Sequence, residues 1–384
     1  MAEREIPFGR PWINDDDRRA VMAVLEGHIL THGPQCRRFE AEFVELMGGG
    51  GAVSTSSCMA SLHLASLHFG LGPGDEVIVP AMTHVATVHA VELVGATPVF
   101  ADCELTTGNI DLDGVERLVT DRTKAISLVH FAGIPVQMDR VRAIADAYDL
   151  KVIEDCALAL GGRYKGTHVG LWGDAGCFSF YPVKHITTGE GGMFVSKDAG
   201  TVEAVASFRA FSVDRTHTER KLPGIYDVTG VGMNYRMSEM QAALGCSQLA
   251  KMPEIERRRA ENFAALKAVL STVPEVAVLD AAESEVKSSH YCVIAVLSGK
   301  AGERRNDCID RLRAEGVGTS VYYPHPVPRM RYYRNKYGYD ATRFPNAEAI
   351  SDRSIALPAG PHLSSADAEY IGAKMKDILR VISQ

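Results

Sequence analysis

The 384-residue chain has the composition of an ordinary soluble protein, with 46% hydrophobic residues, 23% charged residues and a formal net charge of −7. Because acidic and basic residues are interspersed without a basic stripe, no nucleic-acid partner is expected. No apolar run approaches the roughly 20 residues of a membrane helix, and the first residues lack the apolar core of a signal peptide. Eight cysteines are scattered singly. This spacing favours reduced thiols in a cytoplasmic protein, with neither a metal site nor a disulfide framework.

Apolar runs rich in β-branched residues alternate with helical patterns between residues 50 and 200. The expected strands are 52–56, 76–80, 97–101, 125–131, 150–155, 176–180 and 192–196. The expected helices between the first five are 59–69, 85–94 and 138–148. Buried strands separated by helices predict an α/β fold with a mostly parallel seven-stranded sheet flanked by helices. The last two strands leave no room for a helix between them, so we expect them to pair antiparallel at one edge.

A long helical pattern covers residues 238–270, and Pro253 is expected to break or bend it. Beyond it, residues 290–297 predict a strand and residues 306–316 predict a helix that ends at Gly316. These elements predict a smaller C-terminal α+β domain. We therefore expect a large domain at residues 1–250, which includes the N-terminal segment, and a small domain at residues 251–384.

Functional groups gather at the carboxyl ends of the strands in an open parallel sheet. At the first such end, A-V-S-T-S-S-C-M-A (52–60) places hydroxyl residues before a helix that begins near Cys58. Free backbone N–H groups at this junction suit a phosphate, although N-capping by Ser56 or Ser57 explains the same residues. Asp155 ends another apolar strand. An unpaired carboxylate is costly there, so we expect a cationic partner, for which a structural arginine is one explanation.

The segment F-S-F-Y-P-V-K (178–184) carries a third group of candidates. By strand alternation, Ser179 faces the side opposite to Phe178 and Phe180. Lys184 by itself is more typical of a surface lysine than of a nucleophile. The Gly-rich turn T-T-G-E-G-G (187–192) follows at once and allows a close backbone approach, which favours the nucleophile.

A fourth group precedes the helical pattern at residue 238. Asn234 and Arg236 come just before Ser238, which is expected to cap the helix in a capping box with Gln241. Asn234 and Arg236 either shape the helix entry or reach a phosphate. Together the four segments match a cofactor with a phosphate, a ring nitrogen that needs an anionic partner, and an aldehyde that a lysine can trap. Pyridoxal 5′-phosphate (PLP) has these three features.

With these motifs the chain resembles the DegT/DnrJ/EryC1/StrS family of sugar aminotransferases, within the aspartate-aminotransferase-like, fold-type-I PLP superfamily. The resemblance covers nearly the whole length. It is carried, in order, by G-R-P-W-I (9–13), L-T-H-G-P-Q-C-R-R-F-E (30–40), P-A-M-T-H-V-A-T (80–87), V-H-F-A-G-I-P-V-Q-M-D (129–139), I-E-D-C-A-L-A-L-G-G (153–162), F-S-F-Y-P-V-K-H-I-T-T-G-E-G-G (178–192) and M-N-Y-R-M-S-E-M-Q-A-A-L-G-C-S-Q-L (233–249).

The resemblance implies that Lys184 bonds covalently to PLP and is the catalytic acid and base. It implies that Asp155 pairs with the ring nitrogen and that His84 stacks on the ring. The implied phosphate ligands are Ser57, Ser179 and the backbone at Cys58 and Met59. Asn234 usually reaches the phosphate in the neighbouring subunit, which implies a homodimer with shared active sites.

Three features depart from the family pattern, at four positions. Cys58 and Met59 stand where the phosphate turn usually reads G-T, so a threonine hydroxyl contact is lost. Leu158 replaces a glutamine that commonly lies near the ring hydroxyl of the cofactor. His84 is smaller than the usual aromatic residue and can titrate. These departures indicate a distinct subgroup.

The implied reaction moves an amino group from L-glutamate, through pyridoxamine 5′-phosphate, to a keto-sugar. The acceptor is expected to be a nucleotide-linked keto-hexose or a keto-sugar acid such as an 8-keto-octulosonate. Such a product belongs to amino-sugar and cell-surface polysaccharide biosynthesis, for example of lipopolysaccharide. The candidate substrate residues are Thr31, His32, His185, Arg236, Tyr323 and His325.

Two rival functions follow from the same resemblance. A sister branch carries histidine at the lysine position and performs PLP-dependent sugar dehydration. Lys184 argues against this chemistry, because lysine both holds the cofactor and carries the proton of transamination, and His185 is one residue away from the required position. A non-catalytic regulatory homologue is the other rival, and the intact set of Asp155, Ser179 and Lys184 argues against it.

Overall fold

Helices and strands alternate through the chain of the computed structural model, which describes residues 5–214, 222, 224–281 and 283–383. The helices within these residues are α1 (Asp15–Leu25), α2 (Pro34–Met47), α3 (Cys58–His68), α4 (Val85–Leu93), α5 (Leu112–Leu118), α6 (Met138–Ala147), α7 (Ala199–Phe208), α8 (Glu239–Leu249), α9 (Met252–Leu270), α10 (Gly299–Glu303), α11 (Arg305–Ala314), α12 (Arg331–Tyr337), α13 (Pro345–Arg353) and α14 (Ser365–Ile382). No helix in this part of the chain is long and apolar enough to cross a membrane.

The strands of the same residues form three sheets. They are β1 (Gly51–Thr55), β2 (Glu76–Pro80), β3 (Thr97–Ala101), β4 (Thr123–Val129), β5 (Lys151–Asp155), β6 (Arg163–Tyr164), β7 (Thr167–His168), β8 (Ala175–Ser179), β9 (Gly192–Ser196), β10 (Val276–Val278), β11 (Val286–Lys287), β12 (Cys292–Leu297) and β13 (Ser354–Pro358). The largest sheet has seven strands in the order β1-β9-β8-β5-β4-β2-β3. The predicted α/β fold with a mostly parallel seven-stranded sheet is confirmed.

The antiparallel strand of this sheet is β9, which pairs with β8 on one side and with β1 on the other. The predicted antiparallel pairing of the last two strands is therefore confirmed, but the expected position at the edge is wrong. β1 forms the edge instead. Because β1 runs antiparallel to β9, it runs parallel to β8 and β5, so the carboxyl ends of these three strands open on the same side of the sheet.

The helical pattern at residues 238–270 is broken as predicted. α8 ends at Leu249, and α9 begins at Met252 with Pro253 in its first turn. Proline is tolerated there because its missing N–H would have no partner within the helix. The predicted capping box is also present, since Ser238 and Gln241 satisfy each other's backbone N–H groups.

A second hydrophobic cluster lies around the antiparallel sheet β10-β12-β13. Helices α9 and α14 cover this sheet and contribute apolar side chains such as Leu266 and Met375. Ile6, from the N-terminal segment, is buried in the same cluster. The division of the chain at residues 250 and 251 stays a prediction.

Candidate active site

A cavity of about 310 Å³ opens at the carboxyl ends of β5 and β8 and at the start of α3. This volume suits a small molecule bound in a cleft. Eight predicted site residues line it, namely Ser57, Cys58, Met59, His84, Asp155, Ser179, Lys184 and Tyr323. The strand ends thus bring together side chains that are up to 266 residues apart in the sequence, counted from Ser57 to Tyr323.

Asp155 is the last residue of β5 and is only 3% exposed. Its Oδ2 accepts a hydrogen bond from Thr87 Oγ1 at 2.7 Å, and its Oδ1 accepts one from the backbone N–H of Ala157 at 3.0 Å. Among the described residues, no lysine or arginine forms an ion pair with it. The expected structural arginine is therefore not found. A buried carboxylate without a cation is costly, so the site favours a ligand that brings positive charge to Asp155.

Lys184 follows β8 and is half-buried in the cavity wall. Burial lowers the pKa of its amine below the ordinary value of 10.5, because the charged form loses solvation. The carboxylate of Asp155 acts in the opposite direction and raises the pKa of Lys184. The Nζ atom lies 5.2 Å from the centre of the Tyr291 ring. A lowered pKa increases the neutral fraction of the amine, which is the form that attacks a carbonyl carbon.

Ser57 is the N-cap of α3, and its Oγ accepts a hydrogen bond from the N–H of Ala60 at 3.1 Å. The N–H groups of Cys58 and Met59 lie in the first turn, where no earlier carbonyl of the helix can accept them. Both residues line the cavity. β9 packs closely against this turn at Gly192. A Cβ atom on Gly192 would lie only 2.4 Å from the carbonyl carbon of Ser57, so a larger residue would not fit. Capping and anion binding are thus compatible here.

Ser179 faces the cavity because its neighbours face away from it. The rings of Phe178 and Phe180 lie 5.1 Å from those of Phe43 and Phe39, respectively, on α2. Strand alternation then turns Ser179 toward the opposite side, where it lines the cavity. The predicted orientation of Ser179, opposite to that of Phe178 and Phe180, is confirmed.

His84 is the N-cap of α4, and its Nδ1 accepts a hydrogen bond from the N–H of Ala86 at 3.2 Å. The proton of the neutral ring is therefore assigned to Nε2. Burial lowers the pKa of His84, while the carboxylate of Asp155 opposes this shift. The ring centre lies 5.7 Å from that of Tyr323. His84 therefore forms part of an aromatic wall and favours the neutral state.

Two tyrosines next to this aromatic wall are joined by one hydrogen bond. The hydroxyl oxygens of Tyr291 and Tyr322 are 2.7 Å apart, and Tyr322 lines the cavity whereas Tyr291 is 3% exposed. If Tyr291 accepted this bond, its own proton would be buried without an acceptor, which costs about 1–3 kcal/mol. We therefore assign Tyr291 as the donor. The hydroxyl proton of Tyr322 is then available to a molecule in the cavity.

Six predicted site residues lie outside this cavity, namely Thr31, His32, His185, Asn234, Arg236 and His325. Four of them are exposed, namely Thr31, His32, Asn234 and His325. The Nδ1 of His325 accepts hydrogen bonds from the guanidinium of Arg329, the shorter at 2.7 Å. The guanidinium of Arg236 lies 5.0 Å from the centre of the Phe211 ring. None of these contacts involves the cavity.

His185 does not fit the role of a substrate residue. It is 4% exposed, and its Nε2 lies 3.1 Å from the carbonyl oxygen of Ser289, to which it donates. Burial lowers the pKa of His185 well below its ordinary value, so the ring is neutral. The sequence placed it beside Lys184, but consecutive residues in the turn after β8 point in different directions. His185 therefore links this turn to the segment before β12.

Sequence reasoning gave no role to several side chains of the site. Thr87 donates to Asp155, so its own oxygen accepts from Thr83 Oγ1 at 2.7 Å, and the two threonines orient the carboxylate. Their spacing of four residues at the start of a helix was an available signal. Tyr181 and Glu190 also line the cavity. Glu190 lies within the Gly-rich turn, so its position was predictable but its direction was not.

The residues of the cavity fit PLP on three counts. Asp155 is a buried carboxylate with no ion pair among the described residues and so matches a protonated ring nitrogen. The first turn of α3 offers N–H groups to a phosphate. Lys184, with a lowered pKa, offers an amine to an aldehyde. All three groups face one cavity of about 310 Å³.

Comparisons with known proteins agree with this site. Residues 11–376 match the model of the DegT/DnrJ/EryC1/StrS aminotransferase family. The spore coat polysaccharide biosynthesis protein SpsC of Bacillus subtilis (strain 168) is 35% identical over 379 residues, which cover 98% of this chain and 97% of that protein. The putative sugar aminotransferase Spr1654 from Streptococcus pneumoniae, in its PMP form, superposes with a TM-score of 0.92 at 29% identity and covers 98% of this chain and 100% of that chain. PseC of Helicobacter pylori, an aminotransferase involved in the biosynthesis of pseudoaminic acid, superposes with a TM-score of 0.91 at 27% identity. The match covers 98% of this chain and 100% of that chain.

The fold is that of a PLP-dependent aminotransferase of fold type I. The chain belongs to the DegT/DnrJ/EryC1/StrS aminotransferase family, and its structural neighbours are sugar aminotransferases. The predicted family, fold class, enzyme class and cofactor are confirmed.

Proposed function

We propose that this enzyme moves the amino group of L-glutamate to the carbonyl carbon of a keto-sugar. The acceptor is a nucleotide-linked keto-hexose or a keto-sugar acid, and the product serves cell-surface polysaccharide biosynthesis such as that of lipopolysaccharide. The observation that carries the proposal is one cavity that holds both an amine of lowered pKa, Lys184, and a buried carboxylate without a cation, Asp155. SpsC, a protein of spore coat polysaccharide biosynthesis, and PseC, an aminotransferase of pseudoaminic acid biosynthesis, support a sugar substrate.

The cofactor would be held by the residues that line the cavity. Asp155 would bind the ring nitrogen and keep it protonated, and His84 would stack on the ring. The phosphate ligands would be Ser57, Ser179 and the N–H groups of Cys58 and Met59. When bound, PLP supplies an electron sink for the bond that breaks at Cα of the amino acid.

Lys184 would carry the proton in both halves of the reaction. Its neutral Nζ would take the proton from Cα of L-glutamate, and in the half-reaction with the keto-sugar it would return a proton to the sugar carbon that receives the amine. Tyr322 donates its hydroxyl proton toward the cavity, where it can bind an oxygen of the substrate. Tyr323, which is buried in the same wall, would contact the sugar through its ring.

The remaining predicted contacts would come from the surface loops and from a second subunit. We propose a cytoplasmic homodimer in which Asn234 reaches the neighbouring cofactor phosphate and Thr31, His32, Arg236 and His325 border the sugar. Exposed apolar residues in the segment that precedes Asn234 support this assembly, namely Phe211, Leu222, Ile225, Tyr226, Val228 and Val231. Exposed apolar surface of this kind is typical of protein interfaces.

Absorbance spectroscopy followed by product analysis tests the function. The PLP-loaded enzyme is mixed with L-glutamate, and the visible band of the cofactor is expected to shift while 2-oxoglutarate forms. The product of this half-reaction is then offered a panel of keto-sugars, and mass spectrometry detects the amino-sugar. A sugar product that forms without any amino donor would instead indicate the dehydratase. An unchanged band with every amino acid would indicate the non-catalytic homologue.

The pH dependence of cofactor capture tests the state of Lys184. The apoprotein is mixed with PLP at a series of pH values, and the rate of covalent capture is followed by visible absorbance. The neutral amine reacts, so the rate should rise with pH and reach half its plateau below pH 10.5, because burial lowers the pKa of Lys184. Asp155→Asn should move this midpoint still lower, since the carboxylate raises that pKa. A midpoint at or above 10.5 would contradict the assignment.

Mixed subunits test the shared active site. Asn234→Ala is expected to weaken cofactor retention, because a phosphate ligand is lost. Chains carrying Lys184→Ala are then combined with Asn234→Ala chains. If Asn234 acts across the interface, one site of each heterodimer has both residues intact, so part of the activity should return. Verified heterodimers without any recovery would exclude a shared site.

A further inference from the structure

Arg259 on α9 is a buried cation without a counter-ion. Its side chain is 4% exposed, and within the described residues no carboxylate lies within ion-pair distance of it. One nitrogen, Nη1, donates to the carbonyl oxygen of Tyr291 at 2.7 Å. The Nε–H group is buried with no hydrogen-bond partner. An arrangement of this kind is costly for a protein, so a missing anionic partner is the first explanation to consider.

The neighbouring groups do not supply that anion. Tyr291 and Cys292 lie near the guanidinium, but burial raises the pKa of Tyr291 well above its usual range and that of Cys292 to about 12. Both are therefore neutral at physiological pH. Burial in turn lowers the pKa of Arg259 to about 10, which leaves the guanidinium charged at pH 7. The positive charge remains uncompensated by protein groups.

A second unpaired atom belongs to His362, which lines the same cavity as Arg259. His362 donates from Nε2 to the carbonyl oxygen of Pro7 at 2.9 Å, and its Nδ1 is buried without a partner. A Cβ built on Gly360 would lie 2.6 Å from this Nδ1 and 3.8 Å from Nη2 of Arg259, so both side chains border the space beside Gly360. Arg10 lines the same space from the N-terminal segment.

The space between these residues is a small cavity of about 10 Å³. A volume of roughly 10–15 Å³ accommodates a single particle of the size of a water molecule. Phosphate and amino acids are therefore too large for it. A water molecule leaves the charge of Arg259 uncompensated, whereas a small anion offsets that charge.

We propose that this cavity is a binding site for one monovalent anion of the size of chloride, held by Arg259 and Arg10. The site lies directly behind the active site. Val183, next to Lys184, lines both cavities, and the guanidinium of Arg259 lies 5.8 Å from the centre of the same Tyr291 ring that Lys184 contacts. An anion there reduces the positive field on Tyr291 and Tyr322 and helps Tyr322 to retain its proton.

The test uses bromide in place of chloride, because the anomalous X-ray scattering of bromide shows where the ion binds in a crystal. Crystals of the PLP-loaded enzyme are grown with bromide as the halide, and an anomalous peak is expected in contact with Arg259 Nε. The peak should be absent in Arg259→Met and present in Arg258→Met. Arg258 is the adjacent residue on α9, pairs with Glu254 at 2.7 Å and provides the same change of charge.

Stability measurements supply an independent readout. The unfolding midpoint of the wild-type enzyme is compared in potassium bromide and in potassium gluconate at equal ionic strength, since gluconate is too large to enter. A higher midpoint in bromide is expected for the wild type and for Arg258→Met, with no difference for Arg259→Met, because binding to the native state alone stabilises it. The proposal is overturned if the wild-type crystal shows only an ordered water in the cavity, or if the bromide peak persists in Arg259→Met. If Arg259→Met does not fold, the presence or absence of the bromide peak in the wild-type crystal decides whether the cavity binds an anion.

Discussion

Lys184→Ala is expected to abolish transamination while the chain stays folded. The variant has no amine to bond to the cofactor and none to move the proton at Cα, so the rate of the glutamate half-reaction should fall by at least about 10⁴-fold. The fold should persist because Lys184 forms no ion pair among the described residues, and burial disfavours its charged form. Stopped-flow absorbance with L-glutamate measures the rate, and thermal unfolding of the apoprotein measures stability.

Lys165→Ala is the matched control for this variant. Lys165 is an exposed lysine that pairs with Asp139 at 2.7 Å on the surface, and its loss should leave the half-reaction unchanged. Hydride trapping followed by peptide mass spectrometry shows which lysine carries the cofactor. Glutamate-driven formation of pyridoxamine 5′-phosphate in Lys184→Ala, or an adduct on a different residue, would contradict the assignment.

Asp155→Asn is expected to lower kcat/KM for L-glutamate by about 10²–10³-fold, the range for loss of one preorganised electrostatic contact. The amide carries no charge, so the protonated ring nitrogen loses its partner and the cofactor becomes a weaker electron sink. The variant keeps the size of the side chain, and its amide oxygen can still accept from Thr87. Steady-state kinetics measures the loss, and the absorbance spectrum of the bound cofactor reports the protonation of the ring.

Glu154→Gln provides the control on the same strand. Glu154 is fully buried on the opposite face of β5, where its carboxylate accepts from the N–H groups of Gly170 and Gly173 and is bonded to His130 at 2.9 Å. Its loss should reduce stability without changing the spectrum of the cofactor. If both variants lost activity equally, with unchanged spectra, the role of Asp155 at the ring nitrogen would be refuted.

Much of the site follows from local sequence. The apolar run before Asp155 indicates that a strand ends there. The alternation with Phe178 and Phe180 predicts the side toward which Ser179 points. A cap residue at Ser57 predicts the start of a helix. Since the ends of parallel strands meet at one side of a sheet, these local features were enough to predict that Lys184 and Asp155 share a cavity. The structure places them in one cavity.

Other features had no local signal. The bond from Thr87 to Asp155 joins residues 68 positions apart, and the pair of Tyr291 and Tyr322 joins two segments that the sequence left unrelated. His185 was misjudged because adjacency to Lys184 in the sequence says nothing about the direction of its side chain. Direction and burial depend on packing against distant segments.

The sequence by itself determined the class of the fold, the lysine and carboxylate of the cavity and the helix start beside them, because these depend on strand ends and helix starts that are encoded over a few residues. Only the tertiary structure decided that β9 lies inside the sheet, that Tyr322 lines the cavity whereas Tyr291 is buried, and that Arg259 is buried without a counter-ion among the described residues. The physical reason is that strand order, burial and the cost of a buried charge depend on contacts with residues that are distant in the sequence. Those contacts decide which groups are removed from water.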